Sequence, residues 1–220
     1  ERAANLAVHV APETTLQLFE RLAGDLVDYQ SKEYAARFRS VIATAQRAEQ
    51  QLDQDDQFTR AVVIHLHKLM AYKDEYEVAR LLLDDEATAG YKAIGGATTK
   101  VTYHLHPPML RSLGLDRKLE LRRSAPPVLA ALRASKRVRG TLADPFRWAA
   151  VRQLERAMIP EYVEAIELLC QRLSTETLDE AVAIASLPDQ VRGYETLKVT
   201  RATAYRAELA DRMQTWATTR

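Results

Sequence analysis

The sequence predicts a mainly α fold: a helical bundle-like domain with one short β segment near residues 100–106. Three observations carry that prediction. Apolar residues recur at helical spacing through most of the chain, the pattern of helices that each bury one face. Glycine occurs only 7 times in 220 residues, so long stretches run without a breaker. Aromatic residues make up 7 %, which favours helices over a sheet-rich fold.

Residues 1–11 carry no pattern and read as a linker or tail. Residues 12–220 read as a single helical domain with a basic, loop-rich insert at about 84–144. Pro12 suits a first helical turn. Leu16, Phe19, Ala23 and Leu26 mark one face, and Tyr34, Phe38, Val41, Ala45, Ala48 and Leu52 continue it in phase. The unbroken phase predicts one long helix, or two nearly collinear ones with Ser31 capping the second. A turn rich in Asp and Gln leads to a central helix, capped by Asp56 and running to about Leu83. Phe58, Val62, Leu66, Leu69, Tyr72, Tyr76 and Leu83 share one face of it, with Ile64, Ala71 and Leu82 on the other side. A helix apolar on most of its surface is a central one.

The helical signal stops after Asp84-Asp85, and Gly90, Gly95 and Gly96 make a loop. Lys100 to His106 alternates and is β-prone, ending at Pro107-Pro108. A lone strand needs a short local partner or an edge supplied by another domain. Pro126-Pro127 starts a short helix through Leu132. Asp144-Pro145 reads as N-cap and N1 of a helix to about residue 172, with a kink expected at Pro160. Ser174 or Thr175 caps a short helix that Pro188 ends, and a last helix runs from Gly193 towards Trp216.

Charges inside apolar faces are the only site-like constellation. Lys73, Glu77 and Arg80 interrupt the central stripe at spacings that let neighbours meet. Glu155 does the same on the 145–172 helix, with Arg152 three residues earlier. An unpaired buried charge costs roughly several kcal/mol, so these groups should pair if buried. The two helices are therefore expected to pack together, with Glu155 near Lys73 or Arg80. The plainer reading is an internal ion network that fixes helix register; the sharper one is a polar site at a buried interface. Residues 111–139 hold nine Lys and Arg, among them Arg122, Arg123, Arg137 and Arg139, against Asp116 and Glu120. Such a segment is a solvated surface, a face that docks on an acidic part of the same protein, or a docking site for an anionic partner.

Other chemistry is missing. No phosphate loop, dinucleotide fingerprint or Cys-x-x-Cys pair occurs. His104 and His106 could begin a metal site, but no further ligands are apparent; His65 and His67 point apart on a helix. The single cysteine, Cys170, reads as a small core residue and cannot supply the four thiolates of an iron–sulfur cluster. The net charge of +1 argues against nucleic acid, and no apolar run is long enough for a membrane span. A first residue of Glu suggests a piece of a longer chain or a processed product.

Several blocks resemble one family in the same order. Lys68-Leu-Met-Ala-Tyr-Lys-Asp-Glu-Tyr-Glu-Val-Ala-Arg-Leu81 resembles the C-terminal region of the fused indolepyruvate ferredoxin oxidoreductases. His104-Leu-His-Pro-Pro-Met-Leu110, Arg139-Gly-Thr-x-x-Asp-Pro-Phe146, Glu155-Arg-Ala-x-Ile-x-Glu-Tyr162 and Leu187-Pro-x-Gln-Val-Arg-Gly-Tyr194 with Lys198 are similar to its further blocks. With a looser match over Tyr29 to Arg39, the resemblance covers about Leu16 to Tyr205, and it adds Arg192, Tyr194 and Lys198 to the candidate polar network. The resemblance implies a cytoplasmic parent enzyme that oxidises aryl 2-oxoacids to acyl-coenzyme A and reduces ferredoxin, using thiamine diphosphate, Mg²⁺ and iron–sulfur clusters. Those cofactors belong to other domains, and no catalytic residue or metal ligand is carried over to this segment. It implies an accessory domain with a structural, interface or docking role, in contact with other domains of the parent, with ferredoxin, and with further copies in a homo-oligomer. The alternative is an independent helical domain that binds a phosphate-bearing small molecule such as coenzyme A.

Overall fold

The computed structural model describes residues 13–52, 55–84, 90, 103–105, 119–121, 125–193 and 195–218. The fold is mainly helical. The N-terminal hairpin pairs α1 (Thr15–Tyr29) with α2 (Lys32–Glu49). Thr14 starts α1 through a reciprocal capping box with Gln17, and Ser31 starts α2 by accepting from the Tyr34 amide. The two helices are not collinear. The Phe19 and Phe38 rings stack 5.8 Å apart, whereas a continuous helix would separate them by roughly 28 Å. The shared phase arises because both helices bury the same stripe against each other: Leu18, Leu22 and Leu26 meet Phe38, Ile42 and Ala45 in one core. Pro12 and residues 1–11 lie outside the described part.

The expected central helix is two helices, α3 (Gln57–Met70) and α4 (Glu75–Leu82). The backbone leaves the helix at Ala71 and re-enters after Asp74, whose carboxylate accepts from the Glu77 amide at 2.9 Å. The carbonyls orphaned by this break have donors: the Tyr34 hydroxyl reaches Met70 O at 3.1 Å, and Tyr29 reaches Tyr72 O at 3.0 Å. Nor does Asp56 cap α3 with its side chain. Glu49, from the end of α2, does so instead, taking the Phe58 and Thr59 amides at 2.7 Å each.

α5 (Ala125–Ala134) packs on α4 around Ala79 and Leu129, a small cluster apart from the main core. The expected start at Asp144-Pro145 is corrected: residues 139–149 form consecutive turns, and α6 (Ala150–Gln171) begins later. Asp144 is held away from capping because its carboxylate accepts from Gly140 N, Phe146 N and the Tyr76 hydroxyl. α6 runs unbroken through Pro160, which sits on its exposed side. It packs against α2 and α3. Ser174 and Thr177 shape the turn into α7 (Leu178–Ala185), which lies on α3. α8 (Glu195–Thr218) closes the bundle against α6.

The short β segment expected near 100–106 adds no β layer to this fold. Tyr103–Leu105 pairs antiparallel with Leu119–Leu121, three residues each. No described helix is long and apolar enough to cross a membrane.

Candidate functional site

The α3–α4 break positions the most heavily charged part of the interior. Asp74, at its C-terminal edge, is 3 % exposed. Arg139 reaches it from the turn after α5 and grips both carboxylate oxygens, with Nη2 at 2.9 Å from Oδ1. The same guanidinium donates to Tyr29 O at 2.6 Å and lies 3.6 Å from the centre of the Tyr29 ring. Burial works against the Arg139 charge, and Asp74 outweighs it, so the group is held more firmly protonated than usual. Burial, with the Asp74 carboxylate beside it, pushes the Tyr29 hydroxyl well above its ordinary range. Both fix Tyr29 as a neutral donor to the chain at the break.

Beside this pair lies a second group. Arg80 on α4 chelates Glu77 at 2.7 and 2.8 Å and reaches Asp25 on α1 at 2.9 Å, and Asp25 also holds His67 Nε2 at 2.9 Å. The hydrogen bond from His67, then the charge of Arg80, lowers the Asp25 pKa against the opposing effect of burial. A third group centres on Glu155, 2 % exposed on α6. It pairs with Arg152 at 2.6 Å and with Lys198 of α8. Arg152 extends to Glu75 of α4 at 3.3 Å. One oxygen of Glu75 and Nε of Arg152 are buried without partners among the described residues. Burial raises the Glu75 pKa, offset in part by Arg152.

Of the candidates read from the sequence, Glu77 and Arg80 do pair, and Glu155 and Lys198 pair with each other. Three expectations are corrected. Lys73 is exposed in the break, outside the network, because the helix that would have carried it inward stops at Met70. Glu155 turns to Arg152 and Lys198 rather than to Lys73 or Arg80, since α6 meets α8 directly. Arg192 is exposed, bound to Asp189 beside Lys68. Tyr194 lies outside the described residues.

The basic segment is also revised. Arg139 is buried and spent on Asp74, so it is no docking residue. Lys136 donates to Val27 O and Asp28 O at 3.2 and 2.6 Å. With Arg139 on Tyr29 O, these cations satisfy the last carbonyls of α1, where positive charge suits the helix dipole. Arg137 is exposed, and Arg122 and Arg123 lie outside the described residues. Sequence reasoning missed Asp74, Asp25 and Glu49. The Asp74-x-x-Glu77 spacing is a helix-start signal that was hidden inside an apparently continuous helix.

The arrangement can hold helices in register and orient backbone, and apart from one Glu75 oxygen and Arg152 Nε its charged groups are taken up by one another. Cys170 packs against the main core, and burial pushes its thiol up to about 11, away from a nucleophile or a cluster ligand. No group of three or more metal-ligating side chains occurs among the described residues.

No curated protein and no solved structure matches the chain. A family described as "Family of unknown function (DUF6537)" matches over residues 15–211, so every interaction above between described residues of that span lies within the matched region. The chain that builds this three-part ionic interior belongs to that family.

Proposed function

We propose that the chain is a helical accessory domain of an indolepyruvate-type 2-oxoacid:ferredoxin oxidoreductase, serving as an interface within the parent enzyme. One observation carries the reading. Blocks that resemble that family, far apart in sequence, meet in pairs: Asp74 and Tyr76 from the first contact Arg139 and Asp144 from another. Glu155, from a third, takes Lys198 from the last. A junction of mutually paired charges stabilises a shaped surface rather than a reaction. The donor set fits this division of labour. One half-buried cysteine cannot supply the four thiolates of a cluster, so the iron–sulfur centres belong to the parent's other domains in this reading, which places thiamine diphosphate and Mg²⁺ there as well. The parent acts in the cytoplasm as a homo-oligomer, with coenzyme A as cosubstrate.

The test is the parent polypeptide purified anaerobically. Indolepyruvate with coenzyme A should reduce ferredoxin, while the 220-residue chain alone should not. A parent inert toward indolepyruvate and other aryl 2-oxoacids overturns the reading.

A further inference from the structure

The turns at 139–149 bring together two features that a monomeric surface does not need. Leu142 is 89 % exposed and Trp148 is 72 % exposed, the two most exposed large apolar side chains among the described residues. Yet the turn that carries them is firmly built. Asp144 is buried beneath it and accepts from Gly140 N at 2.7 Å, Phe146 N at 3.0 Å and the Tyr76 hydroxyl at 3.0 Å. Thr141 Oγ1 donates to Val138 O at 2.7 Å, and Arg156 donates to Arg147 O. Gly140 adopts φ +74°, a left-handed conformation that lets the chain reverse there. A surface already ordered loses little conformational entropy when something docks on it.

Along this segment of the chain the exposed charge has one sign, although Glu33 of α2 lies near enough to Arg137 to feel its charge. Between Ala125 and Gln153 the sole acid is Asp144, which is buried and saturated. Arg133 and Arg137 are exposed, and Arg147 is half-buried with its guanidinium 4.5 Å from the centre of the Trp148 ring. Tryptophan and arginine are the side chains most enriched where binding energy concentrates. We propose that this turn and the end of α5 form a docking surface for an acidic protein, with Trp148 and Leu142 as apolar anchors and Arg133, Arg137 and Arg147 as a cationic rim. An aliphatic anchor as exposed as Leu142 favours a protein over nucleic acid, whose phosphates offer it nothing. The +1 net charge supplies no general field for a polyanion either.

The choice of occupant rests on the function proposed above, which makes ferredoxin, a small acidic protein, the probe. Its Kd for the parent polypeptide is measured at low and high salt, beside the rate of 2-oxoacid oxidation with an artificial acceptor. Trp148→Ala and the triple variant Arg133→Glu, Arg137→Glu, Arg147→Glu should each weaken ferredoxin binding tenfold or more at low salt. Trp148→Phe should keep most of the affinity, and high salt should shrink the effect of the triple variant. Unfolding midpoints and artificial-acceptor rates should stay at wild-type values, because Trp148, Arg133 and Arg137 are exposed and the Arg147 guanidinium lies over the exposed Trp148 ring. Unchanged ferredoxin affinity in both variants overturns the surface and leaves the proposed function standing. Loss of duplex DNA binding in place of ferredoxin binding overturns it in favour of nucleic acid. Self-association of the parent abolished by Trp148→Ala overturns it in favour of a second copy. An inert parent instead removes the proposed function, while tight, salt-sensitive, Trp148-dependent ferredoxin binding would still uphold the surface.

Discussion

Arg139 does with one guanidinium what several residues do elsewhere: it neutralises Asp74, closes α1 through Tyr29 O and stacks on the Tyr29 ring. Removing it strands a buried carboxylate. Arg139→Ala should therefore cost about 3–5 kcal/mol, read from denaturant midpoints. Arg139→Lys should recover little of this, because a point charge cannot grip two oxygens and stack as well. Arg137→Ala, two residues earlier and exposed, should leave the midpoint unchanged. Two carboxylates set opposite pH trends. The lowered pKa of Asp25 means that its contribution is complete above the ordinary carboxylate value of about 4 and is lost as pH falls through the folded value. Asp25→Asn should flatten the acid limb of the stability curve. Glu75 has a raised pKa, so its folded state binds a proton more readily, and its contribution worsens as pH rises through the folded value. Although Glu75 is nearly enclosed, with 9 % of its side chain exposed, Glu77→Ala should still destabilise more than Glu75→Ala at neutral pH. Glu77 chelates Arg80 with both oxygens, while one oxygen of Glu75 bonds nothing among the described residues. The Cys170 thiol, pushed up to about 11, should resist alkylation at pH 8 in the native state and react at once in denaturant.

Helix ends are where the elements are decided. α3 starts on a carboxylate from a different helix: Glu49 holds the Phe58 and Thr59 amides, a charge-assisted arrangement at the positive end of the dipole. Glu49→Ala should cost about 1–3 kcal/mol, more than the roughly 1 kcal/mol expected for Ser31→Ala at the start of α2. Thermal unfolding of the two variants gives the order, and equal losses would contradict it. The α3–α4 break shows why a good helical pattern is not a helix. Residues 68–83 contain no Gly or Pro, and local propensity favours continuity. Tertiary donors from Tyr29 and Tyr34 make the interruption cheap, and Asp74, fixed by Arg139, restarts the chain in a new direction.

Across the whole molecule, charge and core divide the work. The main core joins α1, α2, α3, α6, α7 and α8, and α4 with α5 forms a satellite. Ion pairs attach the satellite, Arg80 to Asp25 of α1 and Arg152 of α6 to Glu75, and Arg139, paired with Asp74, ties it to Tyr29 O at the end of α1. Glu155 extends the same function to α8 through Lys198. A double-mutant cycle between Glu155→Ala and Lys198→Ala should give non-additive losses, with Glu155→Ala the costlier single change because it frees Arg152 as well. Additive losses would place Lys198 outside the network.

Helical class, the core face of α2 around Phe38 and Ala45, and the pairing of Glu77 with Arg80 were legible in the sequence, because each depends on periodicity or on spacing along one helix. On α1 the expected stripe was only partly right, since Leu16 is 67 % exposed while Leu18 and Leu22 are buried. Phase alone could not reveal that α1 and α2 fold back on each other, since two helices facing a common core keep the same stripe as one continuous helix. Nor could it show the break at Ala71 to Asp74, whose backbone groups are satisfied by hydroxyls some 40 residues away. The fate of the basic segment was equally hidden. Charge counting treats Lys136, Arg137 and Arg139 alike, but packing sends Lys136 and Arg139 to the end of α1 and leaves Arg137 in water. The sequence by itself determined that most of the chain would be helical and that Glu77, Arg80 and Glu155 needed partners, because propensity, periodicity and desolvation act locally. Only the tertiary structure decided who those partners are, because an ion pair between helices depends on how the helices cross, and that is set by the whole core at once.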